Sequence, residues 1–301
     1  MMNPKVSVVM ITYGHEKYIE ESINGVLSQA FNGEIELIIS DDCSPDNTEA
    51  VVKNIINTHP NGHWIKYIKH TKNKGAIPNF VWTICESKGQ YIAICEGDDY
   101  WKDPLKLQKQ VDFLEENPDY SLTFHKINEL TTRDEKFTYP NPDTEETYTI
   151  EDLAKENFII TVSVVFRKNM EILPDWLKYS PIGDYPMHML NASFGLIKYF
   201  PQEMATYRVG SGMWSTQNKV DQMVNTMYCL RFLLLHFKSN KEVHENLLVQ
   251  YNNFRNALIR PFDEKKALDL KLKDYRYIET ITNMGSLLKI MKSKIMKKLK
   301  L

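Results

Sequence analysis

Four short apolar runs separated by helical patterns fill the first hundred residues, and this alternation constrains the fold more than any other feature. Residues 5–13 (KVSVVMITY) are nearly all apolar and rich in β-branched side chains, as a strand buried on both faces must be. In residues 16–29, Tyr18, Ile19, Ile23, Val26 and Leu27 recur at helical spacing, with Glu20, Glu21 and Asn24 on the other face. Residues 35–40, 64–69 and 91–95 read as further strands, and residues 49–57 and 78–87 as the helices between them. Strands joined through helices make right-handed βαβ units. The expected class is therefore α/β, a mostly parallel central sheet flanked by helices.

Ligands of such sheets bind outside the carboxyl ends of the strands. Here those ends are polar: Thr12-Tyr13 after the first strand, Asp41-Asp42 after the second, Glu96-Gly97-Asp98-Asp99 after the fourth. Adjacent carboxylates repel one another and stay ionised only beside a cation or strong donors. Mg²⁺ and Mn²⁺ are the oxygen-seeking ions that suit a site shared with a phosphorylated ligand. Taken alone, residues 96–99 also fit an acidic surface turn; three polar strand ends on one rim favour a site. No GxGxxG follows the first strand and no GxxxxGK[ST] occurs, which disfavours Rossmann dinucleotide binding and a P-loop. The eight histidines lack HExxH spacing, and no GxSxG is present.

The remaining chain is read in the same way. Residues 105–116 form an amphipathic helix behind Pro104, and residues 120–124 a strand. Residues 131–149 are polar and hold Pro140 and Pro142, a loop or excursion. A short helix is expected at 150–156, a strand at 159–166, and a helix from Asp184 to about Ser193. Short strands follow at 197–200 and 204–208, then a loop at 210–214. Beyond roughly Ser215 long helical patterns take over. Residues 224–237 are strongly apolar yet shorter than the roughly 20 residues of a membrane span. Residues 286–301 place Leu287, Leu288, Met291, Ile295 and Leu299 on one face and six lysines on the others. That pattern suits contact with an anionic membrane surface, or a solvated terminal helix.

The formal net charge of −2 over 301 residues argues against a general nucleic-acid binder. Cys43, Cys85, Cys95 and Cys229 show neither CxxC nor zinc spacing, so reduced thiols and a reducing compartment are expected. The start of the chain runs directly into a strand and shows no signal-peptide pattern, which points to a cytoplasmic protein.

Val6-Ser7-Val8-Val9-Met10-Ile11-Thr12-Tyr13, then Asp41-Asp42-Cys43-Ser44-Pro45-Asp46-Asn47-Thr48, then Glu96-Gly97-Asp98-Asp99, in this order, resemble the family 2 glycosyltransferases of GT-A fold. Gly183-Asp184 and Tyr207-Arg208, followed by Gly212 and Trp214-Ser215, extend the match over about residues 5–215. The resemblance implies an inverting, metal-dependent transferase with a UDP-linked donor and a saccharide or lipid-linked saccharide acceptor, of the type that builds bacterial surface polysaccharides. It divides the chain into a nucleotide-sugar half (1–110), an acceptor half (111–215) and a helical C-terminal region (216–301). Contact of 286–301 with the cytoplasmic leaflet of a membrane would suit a lipid-linked acceptor.

The same resemblance assigns roles. Asp98 and Asp99 would hold Mn²⁺ or Mg²⁺ together with the donor's ribose or phosphates, Asp99 being taken as the direct ligand. Asp42 would accept from the base, while Thr12 and Tyr13 line the base pocket with the tyrosine ring stacked; Glu16 belongs to the same pocket. Asp184 would be the general base, with a helix N-cap as its alternative reading. Glu96, Trp101, Arg208 and Trp214 are candidates for the sugar or acceptor, core packing being the alternative for both tryptophans. The chain departs from many relatives in lacking a histidine where Gly210 stands. A nucleotidyltransferase would carry a Gly-x-Gly-x-x-Arg loop, absent here. A degenerate sugar-nucleotide-binding homologue fits poorly with Asp42, Asp98 and Asp184 all in place.

Overall fold

The computed structural model of the protein describes residues 4–131 and 142–266, with side chains to residue 259. The basic segment 286–301 and most of the polar excursion at 131–149 lie outside the described residues.

The expected βαβ alternation is present. Strands β1 (Val6–Thr12), β2 (Ile35–Asp41), β3 (Ile65–Lys69) and β4 (Tyr91–Ile94) run parallel in the order β3-β2-β1-β4. Helices α1 (Ile19–Leu27), α2 (Thr48–Thr58) and α3 (Ala76–Glu86) connect them. Alternate residues of β1 enter opposite apolar layers, as a period of two requires. Val8 and Met10 pack with Ile19 and Ile23 of α1; Val9 packs with Phe80 and Ile84 of α3. Burying side chains of this size contributes roughly 1.5–3 kcal/mol each, which makes β1 the spine of the domain.

The second half turns the sheet mixed. Strand β5 is Tyr100–Trp101, α4 is Lys106–Glu116, β6 is Tyr120–Leu130, β7 is Glu146–Tyr148, α5 is Ile150–Lys155, and β8 is Val165–Arg167. Helix α6 (Asp184–Ala192) leads into β9 (Leu196–Arg208). β8 runs antiparallel to β4 and β6, β6 runs parallel to β9, and β5 and β7 each pair antiparallel with β9.

Three local expectations are corrected. The apolar run 159–166 is strand only from Val165; Thr161–Ser163 is a 3₁₀ turn. Side chains take the carbonyls that a ladder would have used: the Trp101 indole donates to the Val162 carbonyl and the Gln110 amide to that of Ser163. The two short strands at 197–200 and 204–208 are one, β9. Its pairing with β6 tolerates the interruption through register shifts. Residues 146–148, expected in the polar excursion, add a strand to β9.

Helix α7 (Lys219–His236) and the start of α8 (Lys241–Lys266) complete the core, placing Cys229, Leu230, Leu233, Val243 and Leu247 in the layer that holds Leu122 and Leu190. Met1–Phe254 forms one compact unit, and a second begins at Arg255. All four cysteines are free. Among the described residues, no helix is long and apolar enough to cross a membrane.

Candidate functional site

The carboxyl ends of β1 and β2 are tied to one another by the side chains of the Asp41–Thr48 turn. The Gly14 amide donates to Ser44 Oγ (3.0 Å), the His15 amide to Thr48 Oγ1 (3.1 Å) and the Glu16 amide to Asp46 Oδ2 (3.0 Å). In return the Asn47 amide donates to Glu16 Oε2 (2.8 Å). Ser44, Asp46 and Thr48 are therefore braces for the β1 loop. Glu16, expected at the base pocket, has Oε2 committed to the same brace. The braced loop presents Tyr13 at the rim with half of its surface exposed, so a core role for this ring is excluded.

Asp42 is buried, and its two oxygens accept the amides of Lys74 (2.8 Å) and Gly75 (2.9 Å), fixing the loop after β3 against β2. Its neighbour Asp41 is wholly internal, accepting from the Ser44 amide and from Tyr67 Oη (2.7 Å). Burial and that carboxylate drive the Tyr67 phenol far above its ordinary value.

The acidic loop begins where β4 leaves the sheet. The Cys95 and Gly97 amides continue the pairing to β1 through the Val9 and Ile11 carbonyls. Gly97 is required by close approach: a Cβ there would sit 2.8 Å from both Thr12 Oγ1 and His15 Nδ1. Neither of those atoms has a hydrogen-bond partner among the described residues. Asp98 and Asp99 are 5% and 1% exposed. Asp98 Oδ2 accepts from Ser211 Oγ (2.9 Å), and Asp99 Oδ1 accepts the Arg208 amide (2.8 Å). Asp99 Oδ2 is buried with no partner among the described residues.

Burial, then Asp98 and Glu96, hold the Asp99 carboxyl well above the usual range. Burial, then Asp98 and Asp184, raise Glu96 likewise. Glu96 feels both Asp98 and Asp184, whereas neither the shift nor the contacts of Asp99 involve Asp184. Asp99 is anchored to the Arg208 amide through Oδ1, while its Oδ2 has no partner among the described residues.

Arg208, expected to reach sugar or acceptor, is instead a clamp. Its Nη1 donates to the Asp98 carbonyl (2.8 Å), and its Nη2 pairs with Glu21 of α1. Its guanidinium lies over the rings of Tyr100 (4.7 Å) and Tyr18 (5.1 Å). β5 makes this possible, because pairing Tyr100 with Thr206 brings the end of β9 beside the acidic loop.

Asp184 is the first residue of α6; Gly183 occupies the cap position, so the N-cap alternative is not realised. Thr161 Oγ1 donates to Asp184 Oδ2 (3.0 Å) from the 3₁₀ turn that replaced the expected strand. One turn along α6, His188 is wholly buried with both ring nitrogens unpartnered among the described residues. Burial pushes it down to about 4, against the opposing pull of Asp184, so it is neutral.

Trp101 is a core residue, not a sugar platform: 3% exposed, bonded through Nε1 to the Val162 carbonyl (3.1 Å), with Lys106 Nζ 4.2 Å from its ring. Trp214 lies in the loop after β9, partly buried, its carbonyl accepting from Gln222 Nε2 (3.0 Å).

Sequence reading passed over Ser211, Thr161, Glu21 and Tyr18. Glu21 and Tyr18 carried a visible signal only as faces of α1; Ser211 and Thr161 carried none.

Among the described residues, no group of three or more His, Cys, Asp or Glu is placed to cage a metal ion. Mg²⁺ and Mn²⁺ at a diphosphate use one or two carboxylates, the phosphates and water completing the shell. Glu96 and Asp98 match that demand, and the two elevated carboxyls with the orphaned Asp99 oxygen mark a cluster short of positive charge. The donor set fits such an ion.

The family model described as glycosyl transferase family 2 matches residues 7–173. An uncharacterized protein of Mycobacterium tuberculosis is 34% identical over 213 residues, which are 69% of this chain and 60% of that protein. The chain thus spans about three fifths of the length of this relative. Among solved structures, S. aureus TarS 1–349 in complex with UDP-GlcNAc aligns over 90% of this chain and 77% of its own, with a TM-score of 0.63 and 17% identity. The mannosyltransferase PcManGT from Pyrobaculum calidifontis, in complex with GDP-Man and Mn²⁺, aligns over 93% of this chain and 80% of its own, with a TM-score of 0.58 and 15% identity. These likenesses establish the fold, an α/β GT-A architecture with a helical C-terminal part.

Proposed function

The chain belongs to glycosyl transferase family 2, and on that footing we propose that it moves a sugar from a nucleotide-sugar donor to a saccharide or lipid-linked saccharide acceptor, with inversion at the anomeric carbon. The observation that carries this reading is the acidic cluster in which Asp98 and Asp184 both raise Glu96, on the side of the sheet whose rim holds Tyr13 and the Asp42-fixed loop. Tyr13 offers an exposed ring for the nucleobase. Asp42, though bonded to two amides, keeps carboxylate lone pairs for a base N–H. The structures aligned with this chain hold UDP-GlcNAc or GDP-Man, which supports a nucleoside-diphosphate donor; UDP is the proposed carrier.

Asp98, with Glu96, would hold Mn²⁺ or Mg²⁺. Asp99, whose Oδ1 takes the Arg208 amide while Oδ2 has no partner among the described residues, remains the second candidate ligand for the same ion. Bound there, a divalent ion would offset the charge gathering on the leaving diphosphate. Asp184 faces the acceptor: Thr161 fixes Oδ2, and the other oxygen would take the proton of the attacking hydroxyl. A single base opposite the leaving group gives direct displacement and inversion.

We assign the donor side to 1–110 and the acceptor side to 111–215. The basic segment 286–301 is proposed to hold the enzyme at the cytoplasmic face of a membrane, where a lipid-linked acceptor would lie.

Calorimetric titration of UDP, GDP and dTDP, each with Mn²⁺ and with EDTA, tests the donor site. Metal-dependent binding of UDP, abolished in Asp98→Asn and retained in Asp184→Asn, is expected. Asp184→Asn should lower transfer by about 10²–10⁴-fold, the range of general-base catalysis. Failure of every nucleotide to bind, with or without metal, refutes the assignment.

A further inference from the structure

Asp98 is the carboxylate proposed to meet a cation, yet its Oδ2 is already covered. Ser211 Oγ donates to its Oδ2 (2.9 Å), and the backbone of Gly212 lies so close that a Cβ there would be 3.1 Å from the same oxygen. Only 5% of Asp98 is exposed beneath this cover. A hydrated ion carrying a diphosphate needs far more space at a ligating oxygen.

The cover is a short strap, residues 210–215, held together by its own hydrogen bonds. Its near end is held by Arg208, whose amide and guanidinium are both bonded to the acidic loop. Next comes Gly210, with φ +96° and nothing within 4 Å of a built Cβ, a left-handed residue in open space that glycine adopts without strain. Beyond it the strap is internally braced. The Gly210 amide donates to Ser215 Oγ (2.8 Å), while Ser215 and Thr216 both return to the Gly212 carbonyl. Ser211 Oγ, which also reaches the Arg208 carbonyl (3.0 Å), is the contact that fastens the braced part to Asp98.

We propose that Ser211 is a latch: in the ligand-free protein it occupies Asp98 Oδ2, and binding of a divalent cation with a nucleoside diphosphate requires that bond to break and the strap at 210–215 to swing about Gly210. The inference rests on the donor-site reading above and adds its regulation. A binding-competent state populated only when the latch opens weakens apparent affinity by the fraction closed. A hydrogen bond to a charged group has a net worth of roughly 1.5–3 kcal/mol, part of which is recovered by water when it opens. Removing the hydroxyl should therefore tighten binding by about three- to tenfold.

The test is Ser211→Ala, a change small enough to leave the fold intact. Two readouts are taken: amide hydrogen exchange over 209–216 without ligand or metal, and calorimetric affinity for Mn²⁺ with UDP. Severalfold faster exchange together with about three- to tenfold tighter binding is expected. Unchanged exchange with normal binding overturns the latch alone. Weaker binding overturns it too, since Ser211 would then be a donor contact. Faster exchange with no nucleotide bound by either protein overturns the donor-site reading, and the competition falls with it.

Discussion

Replacing Arg208 with alanine removes the side chain that joins α1, the acidic loop and β9. Its loss can be estimated contact by contact. The guanidinium bond to the buried Asp98 carbonyl is charge-assisted and contributes roughly 1.5–3 kcal/mol. Contacts with the Tyr100 and Tyr18 rings add about 0.5–1 kcal/mol each. The pair with Glu21, whose side chain is 54% exposed, adds about 0.2–1 kcal/mol. These contacts share one group and do not add independently, so a loss of about 3 kcal/mol is expected. For a unit of this size that lowers Tm by roughly 6–12 °C. The Asp99 bond survives, because it comes from the backbone of residue 208. Urea unfolding of wild type, Arg208→Ala and Arg208→Lys measures the effect. Lysine should fall between the other two, keeping charge but not the fork that reaches two acceptors. A loss below about 1 kcal/mol with an unchanged m-value would refute the clamp.

Two other expectations follow from side-chain environments. Glu96 is pushed up to about 8 by burial and by Asp98 and Asp184, so the folded state binds its proton more tightly than the unfolded chain does. The resulting stability is fully present below the ordinary glutamate value of 4.5 and lost as pH rises toward 8. In EDTA, the drop in Tm between about pH 5 and about pH 8.5 should therefore be smaller in Glu96→Gln than in wild type; an equal drop would contradict the assignment. Trp101→Phe leaves the Val162 carbonyl without its donor and should cost about 1–2 kcal/mol while nucleotide affinity stays at the wild-type level; a tenfold loss of affinity would restore a ligand-facing role for this ring.

What the sequence determined is the part governed by local periodicity. β1 to β4 and the helices between them are each readable from a window of about a dozen residues, because a parallel strand buried on both faces has to be apolar along its length. Their order then dictates that Thr12-Tyr13, Asp41-Asp42 and Glu96–Asp99 share one rim, with no knowledge of distant contacts. Tertiary structure decided everything that depends on pairing across long separations. β5 is two residues long and has no periodic signal, yet its pairing with Thr206 and Ala205 brings Arg208 to Asp99 and buries Trp101. The same holds for residues 159–166, apolar enough to read as strand but bent into a turn where Trp101 and Gln110 capture carbonyls. The surroundings of Asp98 and Asp99 are of this kind too. Adjacent residues of one type are alike in sequence; only the donors around them, Ser211 for one and the Arg208 amide for the other, tell them apart.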